Sequence, residues 1–242
     1  MQRAAKELGQ PASEMDYGTH ELPMPHCVKV WVVEGCKRQD VPVDAGVDAV
    51  ANFAQTHFQM PTVSGQVVDG LGTSPLVDAL IEYVGAVPGM TMGFPNGTYA
   101  EFKTVAEARG VSVATVPTTE ADHFFKLTPN SVAAFLSENP TSCIYWNLPF
   151  VNPTGEAYSQ DEIDEIYAVI HAHNGSGKGV AKVVIDTVFY GTDHNKQNQV
   201  DLSKFSTDPH VFVVGGVSKA FGLGGLRYGW LRSSDPEATK FL

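Results

Sequence analysis

Residues 211–230 read Val-Phe-Val-Val-Gly-Gly-Val-Ser-Lys-Ala-Phe-Gly-Leu-Gly-Gly-Leu-Arg-Tyr-Gly-Trp, and this stretch decides the fold. Its first four residues are β-branched or aromatic, so we predict a buried strand over 211–214. A glycine-rich loop follows, with Lys219 as its only lysine. A second strand is predicted over 227–231, directly after the loop and with no helix between the two. Lys219 is therefore expected at the edge of a sheet, where loops carry ligands.

The sequence upstream of this stretch alternates short apolar runs with longer runs of helical periodicity, from about residue 65. This alternation indicates repeated βα units and a parallel sheet. The clearest helix begins after Ser159, which forms a capping box with Glu162. We predict an α/β fold with three layers, α/β/α, and a mainly parallel sheet of seven strands. The predicted strands are 66–71, 90–94, 111–116, 142–146, 181–185, 211–214 and 227–231, and the predicted helices are 47–58, 75–84, 99–109, 129–137 and 160–172.

The chain divides into two parts that differ in regularity. Residues 1–60 are punctuated by prolines and contain one predicted helix, so we treat them as an N-terminal segment. Residues 61–242 carry the alternating pattern and form the predicted large domain.

The composition argues against several classes of function. The chain has 242 residues, 43% of them hydrophobic, and a formal net charge of −11 from 16 basic and 27 acidic residues. An acidic surface repels nucleic acid and anionic membranes, so neither is an expected partner. No apolar run approaches the ~18 residues of a membrane span, and the N-terminus lacks a secretory signal pattern. Three cysteines without metal-binding spacing predict no metal site and a cytoplasmic location.

Three polar signals follow predicted strands in chain order. The turn Asn152-Pro-Thr-Gly comes after the strand 142–146, Asp186 closes the strand 181–185, and Lys219 follows the strand 211–214. Taken singly, each has an ordinary interpretation as a turn, a helix cap or a solvated lysine. The segment 216–220 also approximates the turn that carries a hydrolase nucleophile, although it lacks the final glycine, and this leaves a hydrolase as a weak alternative.

The order and the residue pattern of these motifs resemble those of the fold-type-I aminotransferases of classes I and II, over roughly residues 65–235. In that family the lysine of such a segment forms an aldimine with pyridoxal 5′-phosphate (PLP), and the arginine eight positions later binds the cofactor phosphate. The aspartate bonds the pyridine nitrogen, and the asparagine bonds the phenolic oxygen. The resemblance therefore assigns these roles to Lys219, Arg227, Asp186 and Asn152.

Elementary chemistry supports the main roles. A lysine amine condenses with an aldehyde only when neutral, and a nearby cation such as Arg227 favours the neutral form. PLP withdraws electrons only while its ring nitrogen is protonated, and a buried carboxylate such as Asp186 keeps the proton there.

Further candidates follow from the same resemblance and from the needs of a phosphate. The stretch 70–75, Gly-Leu-Gly-Thr-Ser-Pro, opens a helix whose amides and dipole suit an anion. The resemblance implies an aromatic ring on the cofactor face and a tyrosine hydroxyl at the phenolic oxygen. The additional candidate cofactor-binding residues are Gly72, Thr73, Ser74, Tyr99, Tyr190 and Ser218.

The sequence departs from the family pattern in three places. Gly216 stands where the family commonly has a serine or threonine that contacts phosphate, so we expect one phosphate hydrogen bond to be missing. Phe189 stands where a tyrosine is usual, and Tyr190 comes one position late. The chain also ends soon after Trp230, so we expect the small C-terminal domain, with its substrate-binding arginine, to be absent.

Several short stretches are similar to the aminotransferase-like C-terminal region of methionine S-methyltransferases. They are 94–98, 116–120, 125–128, 153–159 and 184–187. In those plant-type enzymes the methyltransferase domain makes S-methylmethionine, and the appended region is generally not credited with transamination. The lysine segment is better kept in this chain, which favours a protein that binds PLP.

We expect an aminotransferase-like, PLP-dependent transferase that acts on an amino acid through a lysine aldimine and pairs as a homodimer. This chain alone is expected to be incomplete or weakly active. The alternative is a non-catalytic or regulatory aminotransferase-like domain of a methionine S-methyltransferase-type protein. The sequence leaves open the amino donor, the acceptor, and the choice between transamination and elimination.

Overall fold

The structure is a computed structural model that describes residues 26–37, 44–119, 124–193 and 199–242. Part of the predicted N-terminal segment, 1–60, lies outside these residues. The strands are β1 Val67–Gly70, β2 Thr91–Pro95, β3 Ser112–Val116, β4 Ser142–Asn147, β5 Ala181–Asp186, β6 Val211–Gly216 and β7 Gly229–Ser233. They form one sheet of seven strands in the order β1-β7-β6-β5-β4-β2-β3.

The sheet is mainly parallel, which confirms the sequence prediction. β7 runs antiparallel to its neighbours β1 and β6, while every other neighbouring pair is parallel. All seven predicted strands are present. The last strand begins at Gly229, later than predicted, because Arg227 takes a left-handed backbone conformation with φ 52° and belongs to the preceding turn.

The described residues form the helices α1 His26–Cys36, α2 Ala45–Phe58, α3 Thr73–Gly85, α4 Ala100–Ala108, α5 Pro129–Glu138, α6 Gln160–Gly175 and α7 Pro236–Phe241. The predicted capping box is present at the start of α6. The Ser159 hydroxyl accepts a hydrogen bond from the Glu162 amide at 3.3 Å, and the Glu162 carboxylate accepts one from the Ser159 amide at 2.7 Å. Among the described helices, none combines the length and apolar composition that crossing a membrane requires.

Alternating side chains of the central strands separate two hydrophobic cores. On β4, Cys143 and Tyr145 point to one side of the sheet, while Ile144 and Trp146 point to the other. Helices α3, α4 and α7 cover the first side, which we call the α3 face. Helices α2, α5 and α6 cover the second side, the α6 face. The sheet therefore lies between two helical layers, as predicted.

The ends of the strands gather polar and glycine residues at one edge of the sheet. β4 ends at Asn147 beside Asp186, the last residue of β5. Because β7 is antiparallel, it begins where the other strands end, and Gly229 pairs with both Gly216 and Gly70. We call this edge the C-terminal edge. The topology thus brings residues from five strands to one side of the molecule.

Candidate cofactor site

Asp186 is the buried acid of the C-terminal edge, with 4% of its surface exposed. It closes β5 and points to the α3 face, in step with Val184 two residues earlier. One carboxylate oxygen, Oδ1, accepts the Val188 amide at 2.9 Å, and the other, Oδ2, accepts the Tyr145 hydroxyl. Burial raises the pKa of Asp186, and the hydrogen bonds from Tyr145 and Val188 oppose that rise.

A chain of hydrogen bonds continues from Tyr145 toward the loop after β2. The side-chain amide Nδ2 of Asn147 donates to the Tyr145 hydroxyl oxygen at 3.3 Å, and the Thr98 hydroxyl donates to Asn147 Oδ1 at 3.4 Å. The pKa of Tyr145 lies well above its ordinary value, because of burial first and of the charge on Asp186 second. The sequence analysis missed Tyr145 and Asn147. The available signal was that Tyr145 lies near the end of the predicted strand 142–146 and that Asn147 directly follows it.

A junction of glycines joins the start of α3 to the start of β7. A Cβ on Gly229 would stand 2.3 Å from the Gly72 carbonyl carbon and 2.5 Å from the Thr73 nitrogen. Gly72 has φ +100°, and a Cβ there would meet the Arg227 guanidinium nitrogen at 2.6 Å. The predicted phosphate residues Gly72, Thr73 and Arg227 are therefore neighbours, although 155 positions separate Gly72 from Arg227. Backbone amides at a helix start together with a cation suit a phosphate.

Thr73 lies close to the glycine at position 216. Its hydroxyl donates to the Gly215 carbonyl at 3.1 Å, and this hydrogen bond links the start of α3 to the end of β6. A Cβ on Gly216 would stand 2.9 Å from this hydroxyl oxygen and 3.1 Å from the Tyr228 carbonyl oxygen. A serine or threonine at 216 would therefore require the Thr73 hydroxyl to move.

Lys219 lies in a closed turn that leaves the end of β6. The turn is fixed to β7 by the Val217 amide, which donates to the Tyr228 carbonyl at 3.2 Å, and it closes where the Leu223 amide donates to the Val217 carbonyl at 3.2 Å. Ser218 and Lys219 are both half-buried. The methyl group of Ala220 lies 3.6 Å from where a Cβ on Gly191 would stand. The lysine turn therefore packs beside the loop that follows Asp186.

The remaining predicted residues take three different positions. Asn152 is half-buried and lines a small cleft together with Asn147. Tyr99 directly precedes α4 and is 45% exposed, and its hydroxyl donates to the Glu101 carboxylate. Tyr190 points to α2, where its hydroxyl donates to the His57 carbonyl at 3.3 Å. Asn152 thus lies near Asn147, which pairs with Asp186 in the sheet. The Tyr190 hydroxyl is directed to α2.

A larger cleft of about 150 Å³ opens between α2, the loop after β5 and the lysine turn. Its walls are mostly apolar. They are formed by Ala49, Val50, Phe53, Thr187, Tyr190, Gly216, Val217, Phe221, Tyr228 and Trp230. The described residues gather no group of three or more His, Cys, Asp or Glu side chains that could hold a metal ion.

The groups at this edge fit PLP by their chemistry. A buried carboxylate suits a protonated ring nitrogen, a lysine suits the aldehyde, and an arginine at a glycine-lined helix start suits the phosphate. These groups come from separate parts of the chain, and all of them lie at the C-terminal edge.

Solved structures share this fold. The aspartate aminotransferase from Thermus thermophilus with maleate matches with a TM-score of 0.80 at 17% identity, over 99% of this chain and 61% of that chain. The PLP-bound C-S lyase from Staphylococcus hominis matches with a TM-score of 0.74 at 15% identity, over 89% of this chain and 56% of that one. At such identities the likeness shows the fold, which is the α/β fold of these PLP-type enzymes.

The family model for aminotransferases of class I and II matches residues 43–241. This chain belongs to that family. The methionine S-methyltransferase of Arabidopsis thaliana is 29% identical over 226 residues, which cover 90% of this chain and 20% of that protein. The chain thus spans about a fifth of this curated relative. Both resemblances seen in the sequence are confirmed.

We predict that the Gly216→Ser variant lowers the free energy of unfolding by about 1–3 kcal/mol, because its Cβ overlaps the Thr73 side chain. Adding Thr73→Ala removes the obstructing hydroxyl and recovers part of that loss. Urea unfolding of the two single variants and the double variant measures the coupling between the sites. Strictly additive losses would show that Thr73 is not what excludes a side chain at 216.

Proposed function

We propose that this chain is a PLP-dependent, aminotransferase-like transferase domain that acts on an amino acid and holds the cofactor through Lys219. The family and a PLP-bound structural neighbour support PLP as the cofactor. The observation that carries the proposal is the contact of the Arg227 guanidinium with Gly72, at the same edge as Asp186 and Lys219. PLP, when bound, supplies an electron sink that makes the α-proton of an attached amino acid acidic.

Each candidate residue has a role in this proposal. The Asp186 carboxylate holds a proton at the cofactor ring nitrogen. Arg227 and the amides of residues 72–74 bind the phosphate dianion, since a cation and a helix start both favour negative charge. Asn152 donates to the phenolic oxygen. The Lys219 amine, released when substrate binds, takes up and returns the α-proton.

The supporting residues surround these groups. Ser218 precedes the lysine in the chain. The Tyr99 ring packs against Phe102, which in turn packs against Tyr145. Tyr190 forms part of the wall of the apolar cleft, and its hydroxyl donates to the His57 carbonyl. A rigid wall helps because small displacements of reacting groups reduce rates strongly.

We further propose that the protein is a cytoplasmic homodimer. The three cysteines are free thiols, as expected in a reducing compartment. Large apolar side chains around the lysine turn and the glycine junction are exposed, namely Leu71 at 77%, Phe221 at 49% and Leu226 at 42%. Burial of such side chains against a second copy would stabilise a dimer that covers the cofactor edge.

A second candidate function rests on the relative from Arabidopsis. Its similarity covers 90% of this chain but only 20% of that methionine S-methyltransferase. In this reading the chain is a non-catalytic or regulatory aminotransferase-like domain that retains the PLP site. The two candidates share the cofactor and differ in turnover.

We predict that PLP attaches to Lys219 specifically. Incubation with PLP followed by borohydride, which makes a reversible lysine–aldehyde adduct permanent, should label the peptide that contains Lys219. Lys219→Ala should abolish the label and leave the fold intact, since the change removes no core side chain. The matched control Lys178→Ala, at an exposed loop lysine, should label like the wild type. Peptide mass spectrometry measures the site, and a label spread over surface lysines would contradict the assignment.

We predict that the PLP-loaded protein, supplied with a 2-oxo acid that accepts the amino group, converts at least one amino acid of a broad panel to its keto acid. Lys219→Ala should lower this rate by about 100-fold or more, the usual effect of losing a general acid–base group. Keto-acid formation and the sedimentation mass are measured on the same sample. Labelled Lys219 without turnover, in a dimer, would favour the second candidate.

A further inference from the structure

Tyr145 and Asp186 form a buried pair on the α3 face. Tyr145 is 1% exposed, and its hydroxyl donates to the Asp186 carboxylate. The tyrosine ring packs against two aromatic neighbours, with ring centroids 5.8 Å from Phe94 and 5.5 Å from Phe102. The hydroxyl is therefore fixed in place before any ligand arrives.

The pair has a defined set of hydrogen bonds. Asp186 accepts from Tyr145 on one oxygen and from the Val188 amide on the other. The Tyr145 hydroxyl oxygen in turn accepts a hydrogen bond from the side-chain amide of Asn147 at 3.3 Å. A hydroxyl that accepts a hydrogen bond becomes a stronger donor, so Asn147 strengthens the bond from Tyr145 to Asp186. These donors favour the ionised carboxylate, whereas burial favours the protonated acid.

We propose that Tyr145 is a positioning residue that makes Asp186 a weaker base and thereby keeps the shared proton on the ring nitrogen of PLP. This inference rests on the proposed function. The carboxylate and the ring nitrogen compete for one proton, and a hydrogen bond donated to the carboxylate lowers its share. Without the hydroxyl the proton moves toward Asp186, and the cofactor becomes a poorer electron sink. Tyr145 thus acts through Asp186 on how well the cofactor withdraws electrons.

Tyr145→Phe separates this role from packing, because it keeps the ring against Phe94 and Phe102 and removes only the hydroxyl. Tyr83→Phe is a matched control. The Tyr83 hydroxyl donates to the Asp235 carboxylate at 2.8 Å, and its side chain also packs on the α3 face, at the opposite edge of the sheet. Both variants therefore lose one tyrosine–aspartate hydrogen bond, and only one of them lies at Asp186.

Two spectroscopic measurements test the proposal. In the cofactor-free protein, the carboxyl ¹³C signal of Asp186, assigned with Asp186→Asn, should titrate at higher pH in Tyr145→Phe than in the wild type. In the loaded protein, the ring signal of ¹⁵N-labelled PLP should move toward its unprotonated position. Tyr83→Phe should change neither signal. Exchange of the substrate α-proton should fall about tenfold in Tyr145→Phe, since a hydrogen bond to a charged group is lost.

Asn147→Ala gives a second test if Tyr145→Phe fails to fold. It leaves Tyr145 in place and removes the amide that strengthens its donation, so both signals should move in the same direction by a smaller amount. Unmoved signals in a loaded Tyr145→Phe protein would overturn the role of Tyr145 alone. A wild-type chain that takes up no PLP would instead overturn the proposed function and this role with it.

Discussion

The burial of the Asp186 carboxylate is the constraint on which the site depends. Asp186 ends β5, near the middle of the sheet, and neighbouring strands lie on both sides of it. A charge removed from water is costly unless hydrogen bonds or an opposite charge compensate it. The Tyr145 hydroxyl and the Val188 amide supply two hydrogen bonds. A protonated ring nitrogen beside this carboxylate would add a positive charge, which offsets the cost of burying the acid.

The second constraint is the glycine junction, which forms because β7 runs antiparallel to its neighbours. The chain leaves β6 through the lysine turn and returns antiparallel, so that Gly229 meets the backbone of Gly72 and Thr73. No side chain larger than hydrogen fits on Gly229 at this contact. Arg227 takes its left-handed conformation just before β7 and places its guanidinium against Gly72. A cation and a helix start are thus held by backbone contacts, at the same edge as the carboxylate.

The sequence was sufficient for the strands and for the order of the motifs, because both depend on local periodicity and turn chemistry. It was insufficient where a role depends on neighbouring strands. Tyr145 reaches Asp186 only because β4 and β5 pair in the register that sets Asn147 beside Asp186. Gly216 reads as a lost phosphate ligand, yet a Cβ there would meet the hydroxyl of Thr73, which is 143 positions away in the chain. The direction of the Tyr190 ring likewise depends on α2, which packs from a distant part of the sequence.

We propose that one edge of the sheet binds PLP at both ends, through Asp186 and through the Gly72–Arg227 junction. A crystal structure of the protein grown with PLP tests this claim most directly. We expect electron density continuous with the Lys219 amine, the ring nitrogen within hydrogen-bond distance of Asp186, and the phosphate against residues 72–74 and Arg227. PLP bound elsewhere, or bound with its phosphate away from Arg227, would contradict it.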